Sequence, residues 1–161
     1  MTFNEAKGAL KTALTGGGST VDVTLPSSSA VSAPFFEGLA FNTSPEQIRE
    51  EYEEAIGANA YIVLISLGGV SNEEVLRGMS QVGVDLEVWI VENPHEARER
   101  TSPSHQPLEM VQQVTEKVLA WKNNPTRNEF SLSPNFFKNF KGVNDSVQSR
   151  LSFRINVHLN T

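Results

Sequence analysis

The chain has 161 residues, of which 39% are hydrophobic and 20% charged, values that suit one globular domain with a real core and leave too little chain for two. Its 13 Lys and Arg stand against 19 Asp and Glu, a formal net charge of −6, which disfavours tight nucleic-acid binding as a main task because phosphate neutralisation gains it nothing. There is no cysteine, so disulfide frameworks, thiolate nucleophiles and thiolate metal sites drop out, in keeping with a reducing compartment.

No basic flank followed by an apolar run opens the sequence, so no secretory signal is expected. Residues 58–70 form the longest near-continuous apolar stretch. Asn59, Ser66, Gly68 and Gly69 interrupt it, and it is too short to span a bilayer, so no membrane partner is expected.

Thr2 and Glu5 form a capping box for a first helix, with Phe3, Ala6, Leu10, Ala13 and Leu14 on one face and Gly16-Gly17-Gly18 ending it. Val21, Val23 and Leu25 then alternate with Asp22 and Thr24, a half-exposed strand. Residues 26–34 read as a loop of small residues that delivers Phe35 and Phe36. Ser44, Pro45 and Gln47 start a second helix with Ile48, Tyr52, Ala55 and Ile56 as its buried stripe, and Gly57 stops it.

Residues 60–66 are apolar on both faces and β-branched, which predicts a central strand covered on both sides. Gly68-Gly69 is expected to turn the chain, and residues 71–78 to hold a short helical or irregular turn. In the next strand Val82, Val84, Leu86, Val88 and Ile90 alternate with Gly83, Asp85, Glu87, Trp89 and Val91. A polar loop over residues 93–106 follows, then a helix from Pro107 to about Asn123. Residues 131–145 mix Phe136, Phe137 and Phe140 with Pro, Asn and Gly and predict anchored loops. The last strand alternates Leu151, Phe153, Ile155, Val157 and Leu159 with Arg150, Ser152, Arg154, Asn156 and His158.

The order α-β-α-β-β-α-β predicts a single α+β domain over residues 1–161. Its antiparallel or mixed sheet has about four strands, packed by two to three helices on one face.

Signals of chemistry are few. Gly16-Gly17-Gly18-Ser19-Thr20 follows a helix and precedes a strand, the reverse of a phosphate loop, and lacks the Gly-Lys ending, so nucleotide binding is not expected. His95 and His105 share a loop with Glu92, Glu96 and Glu99, but without metal-site spacing and beside the repelling Arg98 and Arg100. No Gly-x-Ser-x-Gly elbow is present, and Glu50, Glu51, Glu53 and Glu54 lie together on a helix as a solvated face does. No catalytic residue, cofactor or metal is expected.

Interaction signals are stronger. Trp89 stands on the polar side of its strand, to meet another element of the same domain or a partner subunit, and Phe35 and Phe36 are either core plugs or anchors for a neighbour. Arg150 and Arg154 share one face of the last strand, where Glu87 or Asp85 opposes them within the chain or across a subunit boundary. With His95, Arg98 and Arg100 of the polar loop, these residues are the candidate partner contacts.

The order of elements resembles that of the small tail terminator (tail-completion) proteins of tailed bacteriophages, including the Mu-like group. Tyr61-Ile62-Val63-Leu64-Ile65-Ser66-Leu67-Gly68-Gly69, Val84-Asp85-Leu86-Glu87-Val88-Trp89-Ile90-Val91, the helix beginning Pro107-Leu108-Glu109-Met110 and the closing strand from Arg150 carry the resemblance. The resemblance implies a homohexameric ring that caps the tail tube, stops its growth and joins it to the head-side connector. It further implies tail-tube and neck proteins as partners, DNA passing through the lumen without specific binding, assembly in the host cytoplasm and residence in the virion. Two other readings stay open: a head–tail connector of similar fold, and a small ligand-binding or hydrolytic domain built on His95, His105 and nearby carboxylates.

Overall fold

α1 (Phe3–Thr15) begins on the expected capping box: Glu5 N–H donates to Thr2 Oγ1 at 3.1 Å and Thr2 N–H to the Glu5 carboxylate at 2.7 Å. Gly16, at φ 62°, closes the helix in the left-handed region. In chain order there follow β1 (Thr20–Thr24), β2 (Ala30–Phe36), α2 (Pro45–Glu51), α3 (Glu53–Ala58), β3 (Tyr61–Leu76) and β4 (Met79–Glu92). The chain then forms α4 (Gln106–Leu119), β5 (Lys122–Asn123), β6 (Asn128–Glu129), β7 (Ser131–Lys141) and β8 (Val147–Leu159). This computed structural model describes residues 2–26, 30–38, 44–76, 79–93, 106–123, 128–141 and 147–159.

The fold is α+β with a six-stranded mixed sheet in the order β1-β2-β3-β4-β8-β7, beside a two-stranded ribbon of β5 and β6. All pairings are antiparallel except β2 with β3, where Phe35 and Phe36 lie opposite Val63 and Leu64 in parallel. A parallel pair needs a crossover, and residues 37–60, carrying α2 and α3, supply it.

That crossover corrects the expectation of helices on one face. α1 and α4 bury Leu10, Leu14, Met110, Val114 and Val118 against Val63, Val84, Leu86, Val88, Leu151, Phe153 and Ile155. α2 brings Ile48 to the opposite face, onto Ile62, Leu64, Trp89 and Val91, with Tyr52, Ala55 and Ile56 beside it. The double-sided apolar pattern of β3 requires both layers. Two polar ties fix the second one: Gln148 Nε2 donates to Pro45 O at 3.2 Å, and Asn93 Nδ2 to Ile56 O at 3.0 Å.

Six strands replace the expected four because residues read as loops are paired. Ala30–Phe36 is β2, its small residues held by the ladder to β1 and not by intrinsic preference. Gly68-Gly69 does not turn the chain; β3 shifts register between Leu67 and Gly69 and again between Ser71 and Glu74, then runs on to Leu76 where a turn was expected. Gly68 leaves room for Glu87, whose Cγ would lie 3.1 Å from a Cβ there. Ser131–Lys141 is β7, whose period-two signal is broken by a shift between Leu132 and Phe137 that includes Asn135 at φ 57°. The second helix divides at Tyr52, and α4 ends at Leu119, freeing Trp121 to pack on Phe130 at 5.4 Å.

Gly38 has no room for a side chain. At φ 69° it passes so close to β3 that an added Cβ would overlap the Ile65 carbonyl. Gly8, inside α1, has nothing within 4 Å of its added Cβ. Gly38→Ala is expected to lower unfolding free energy by at least about 2 kcal/mol, and Gly8→Ala to raise it by about 0.5–1 kcal/mol, both read from urea unfolding midpoints.

Candidate functional site

Alternation along β4 and β8 places Asp85, Glu87 and Trp89 on the same sheet face as Arg150, Ser152 and Arg154, with Asp85 opposite Arg154, Glu87 opposite Ser152 and Trp89 opposite Arg150. This is the largest concentration of functional side chains that the sequence predicts, and the chain itself satisfies most of it. Arg154 donates to Asp85 through Nε at 2.9 Å and Nη2 at 3.3 Å, and Ser133 Oγ adds a donation to Asp85 Oδ1 at 2.8 Å. Trp89 Nε1 donates to Ser66 Oγ at 3.1 Å and Glu87 Oε2 at 3.2 Å, while the Ser66 hydroxyl donates to the same carboxylate oxygen at 3.1 Å.

Trp89, expected to contact either another element of its own domain or a partner subunit, is 1% exposed and meets its own chain. The reason is β7, which the sequence does not reveal as a strand: it lays Phe140 over the indole, ring centroids 5.5 Å apart and nearly stacked. The Arg150 guanidinium lies 6.0 Å from the Trp89 ring and 5.6 Å from that of Phe140, with Nη1 4.0 Å from Glu87 Oε1. Its Nε is buried with no hydrogen-bond partner among the described residues.

Phe35 packs against the main core, and Phe36 meets Tyr52 at 5.1 Å on the opposite face, so both phenylalanines are engaged inside the chain. Arg150 and Arg154 face Glu87 and Asp85 within the chain. His95, Arg98 and Arg100 lie outside the described residues, as does His105. Sequence reasoning gave Ser66 and Ser133 no role and read Phe140 as an anchor within a loop. Of the two serines only Ser66 left a signal, as a polar residue in a strand otherwise apolar on both faces.

A pocket of about 160 Å³ lies between Lys7, Glu37, Gly38, Ile65, Ser66, Leu67 and Leu86, below the roughly 300 Å³ at which ligand sites begin. Its rim is an ion-paired strap: Lys11 Nζ lies 3.1 Å and Lys7 Nζ 3.8 Å from Glu37, whose carboxyl the Lys11 hydrogen bond, then the charges of Lys11 and Lys7, hold below the usual range. Among the described residues, no group of three or more His, Cys, Asp or Glu has the geometry to hold a metal ion. No helix of the described residues is long and apolar enough to cross a membrane. The sequence matches no family model and no curated protein.

Two outcomes follow. A double-mutant cycle of Asp85→Ala and Arg154→Ala, read by urea unfolding, is expected to give a coupling of about 1 kcal/mol, since a well-aligned but partly solvated pair retains modest net energy. At the other end of the sheet, Tyr61 is buried and its hydroxyl is pushed well above its ordinary pKa, by burial first and then by Glu92 and Glu109. A raised acid favours the neutral form in the fold, so stability is kept below the unfolded value of 10.0 and falls as pH rises past it. The unfolding midpoint is expected to drop above about pH 10, with a shallower drop in Tyr61→Phe.

Proposed function

We propose that the protein is a structural assembly protein of the tail terminator kind, a homohexameric ring that caps a phage tail tube and joins it to the head-side connector. One observation carries this reading. Among the described residues no strand pairs with the outer side of β1 or β7, and these two outer strands differ in length and sequence, so one subunit presents two different pairing surfaces. A cyclic ring is built from such unlike surfaces, whereas a two-fold dimer uses one surface twice.

Other features agree. The polar side chains of β4 and β8 are largely spent inside the chain, while Leu132 and Phe137 on β7 are 48% and 37% exposed. The hairpin of β3 and β4 is long, with 16 residues in β3, and β8 runs beside β4 from Ser80 to Glu92. The resemblance of the sequence to tail terminators supports the same reading. In this reading the ring assembles in the host cytoplasm, becomes part of the virion neck, and lets DNA through its lumen without holding it. A net charge of −6 suits that passage.

The test is where the protein binds. Gold-labelled protein added to purified tail tubes of its phage, viewed by electron microscopy, is expected to mark one tube end and to stop further tube growth. Labels on head-side connectors would assign it to the other joint of the neck, and labels on neither would overturn the reading.

A further inference from the structure

Strands β1 and β7 occupy opposite edges of the sheet, and among the described residues no strand pairs with the outer side of either. An unpaired edge is a template for another strand unless something blunts it. In β7 the first half is blunted: Pro134 lacks a donor, and the register shift between Leu132 and Phe137 breaks the ladder. The second half, residues 137–141, pairs without interruption with Leu151 through Val147. β1 is also regular and of the same length, five residues paired to β2 without a shift.

The two edges also match in chemistry. Val21 and Val23 of β1 are buried on the main-core side, and Asp22 is exposed between them. On β7, Phe137 lies opposite Leu151 of the main core and is still 37% exposed, and its neighbour Lys138 is exposed on the other face beside Arg150. β1 and β7 run in the same direction within the sheet, so a second copy that continues it with the same face toward the main core pairs its β1 in parallel with β7. One such register sets Phe137 beside Val21 and Lys138 beside Asp22, an apolar pair on one face and an ion pair on the other. Pairing β7 with a second β7 would instead bring lysines together, and pairing β1 with a second β1 would bring aspartates together.

We infer that residues 137–141 of one protomer add as a strand to β1 of a second copy, with Lys138 opposite Asp22, so that the sheet continues from subunit to subunit around the ring. This rests on the ring reading and names its joint. Asp22 is prepared for the role: Ser32 Oγ donates to its carboxylate at 2.6 Å and Thr20 Oγ1 at 3.1 Å, holding it ionised and oriented. Lys117 Nζ, 2.9 Å from the Asp22 carbonyl, occupies an acceptor on β1 that an arriving backbone N–H would take over.

The native chain has no cysteine, so a variant carrying Asp22→Cys and Lys138→Cys contains only the two thiols of interest. Neighbouring strands lie about 4.7–4.9 Å apart, which brings side-by-side Cα atoms within disulfide range. Five strand spacings separate the two positions within one sheet, so a bond between them must join two chains. Mild oxidation is expected to give a ladder of covalent multimers on a non-reducing gel, while each single-cysteine variant stays monomeric. In parallel, Lys138→Asp is expected to lower the assembled fraction about fivefold or more per interface, and Asp22→Lys in the same chain to restore it.

Dimers from either single-cysteine variant would show symmetric edge pairing and overturn the inference and the ring together. A double variant that stays monomeric while the wild-type chain forms rings would overturn the joint alone and leave the ring reading standing. If neither cross-links nor rings form, both fail.

Discussion

Everything in this fold depends on β3 and β4 being apolar on both faces over the same stretch. Tyr61, Val63 and Ile65 face one side and Ile62 and Leu64 the other, and in β4 Val88 and Ile90 are answered by Trp89 and Val91. Burying one such face leaves the other to water, at about 25 cal/mol for every Å² of apolar area left uncovered. The chain therefore needs a second helical layer, and the parallel pairing of β2 to β3 supplies it by forcing a crossover that carries α2 and α3. The first layer, α1 and α4, comes from outside that crossover, and each layer has its own core.

The second layer is short, and the sheet beyond it becomes polar. There β4 and β8 exchange apolar residues for Asp85, Glu87, Arg150 and Arg154, and the fold closes these groups on each other instead of burying them under a helix. Charges shielded from water must be paired to be tolerated, and the two hydrogen bonds of Arg154 to Asp85 do this for one pair. Trp89 stands at the boundary, its ring in the second core and its N–H tied to Ser66 and Glu87. β7 completes the boundary from the sheet edge, with Phe140 on the indole and Ser133 on Asp85. A strand that does this much for its own chain on one side still has its outer edge to offer.

What the sequence revealed was whatever repeats. The helix of Thr2 and Glu5, the alternation of residues 82–91 and that of β8 were legible because caps and period-two patterns are local. β2 was hidden because Ser, Ala and Pro have little strand preference and take it from β1. β7 was hidden because the register shift around Asn135 moves its phenylalanines out of phase. The pairing of Arg154 with Asp85 was foreseen as one of two arrangements, whereas the burial of Trp89 depends on Phe140, 51 positions away and on a strand that no local pattern announces.

Among the described residues helices pack on both faces of the sheet and neither outer strand is paired beyond the sheet, and the proposed ring joins those unlike edges. Native mass spectrometry of the purified chain over a range of concentrations addresses this most directly. The account predicts a closed species of about six copies, roughly 106 kDa from subunits of 17.7 kDa, with no stable two-fold dimer. A symmetric dimer as the largest assembly, or a monomer at every concentration, would contradict it.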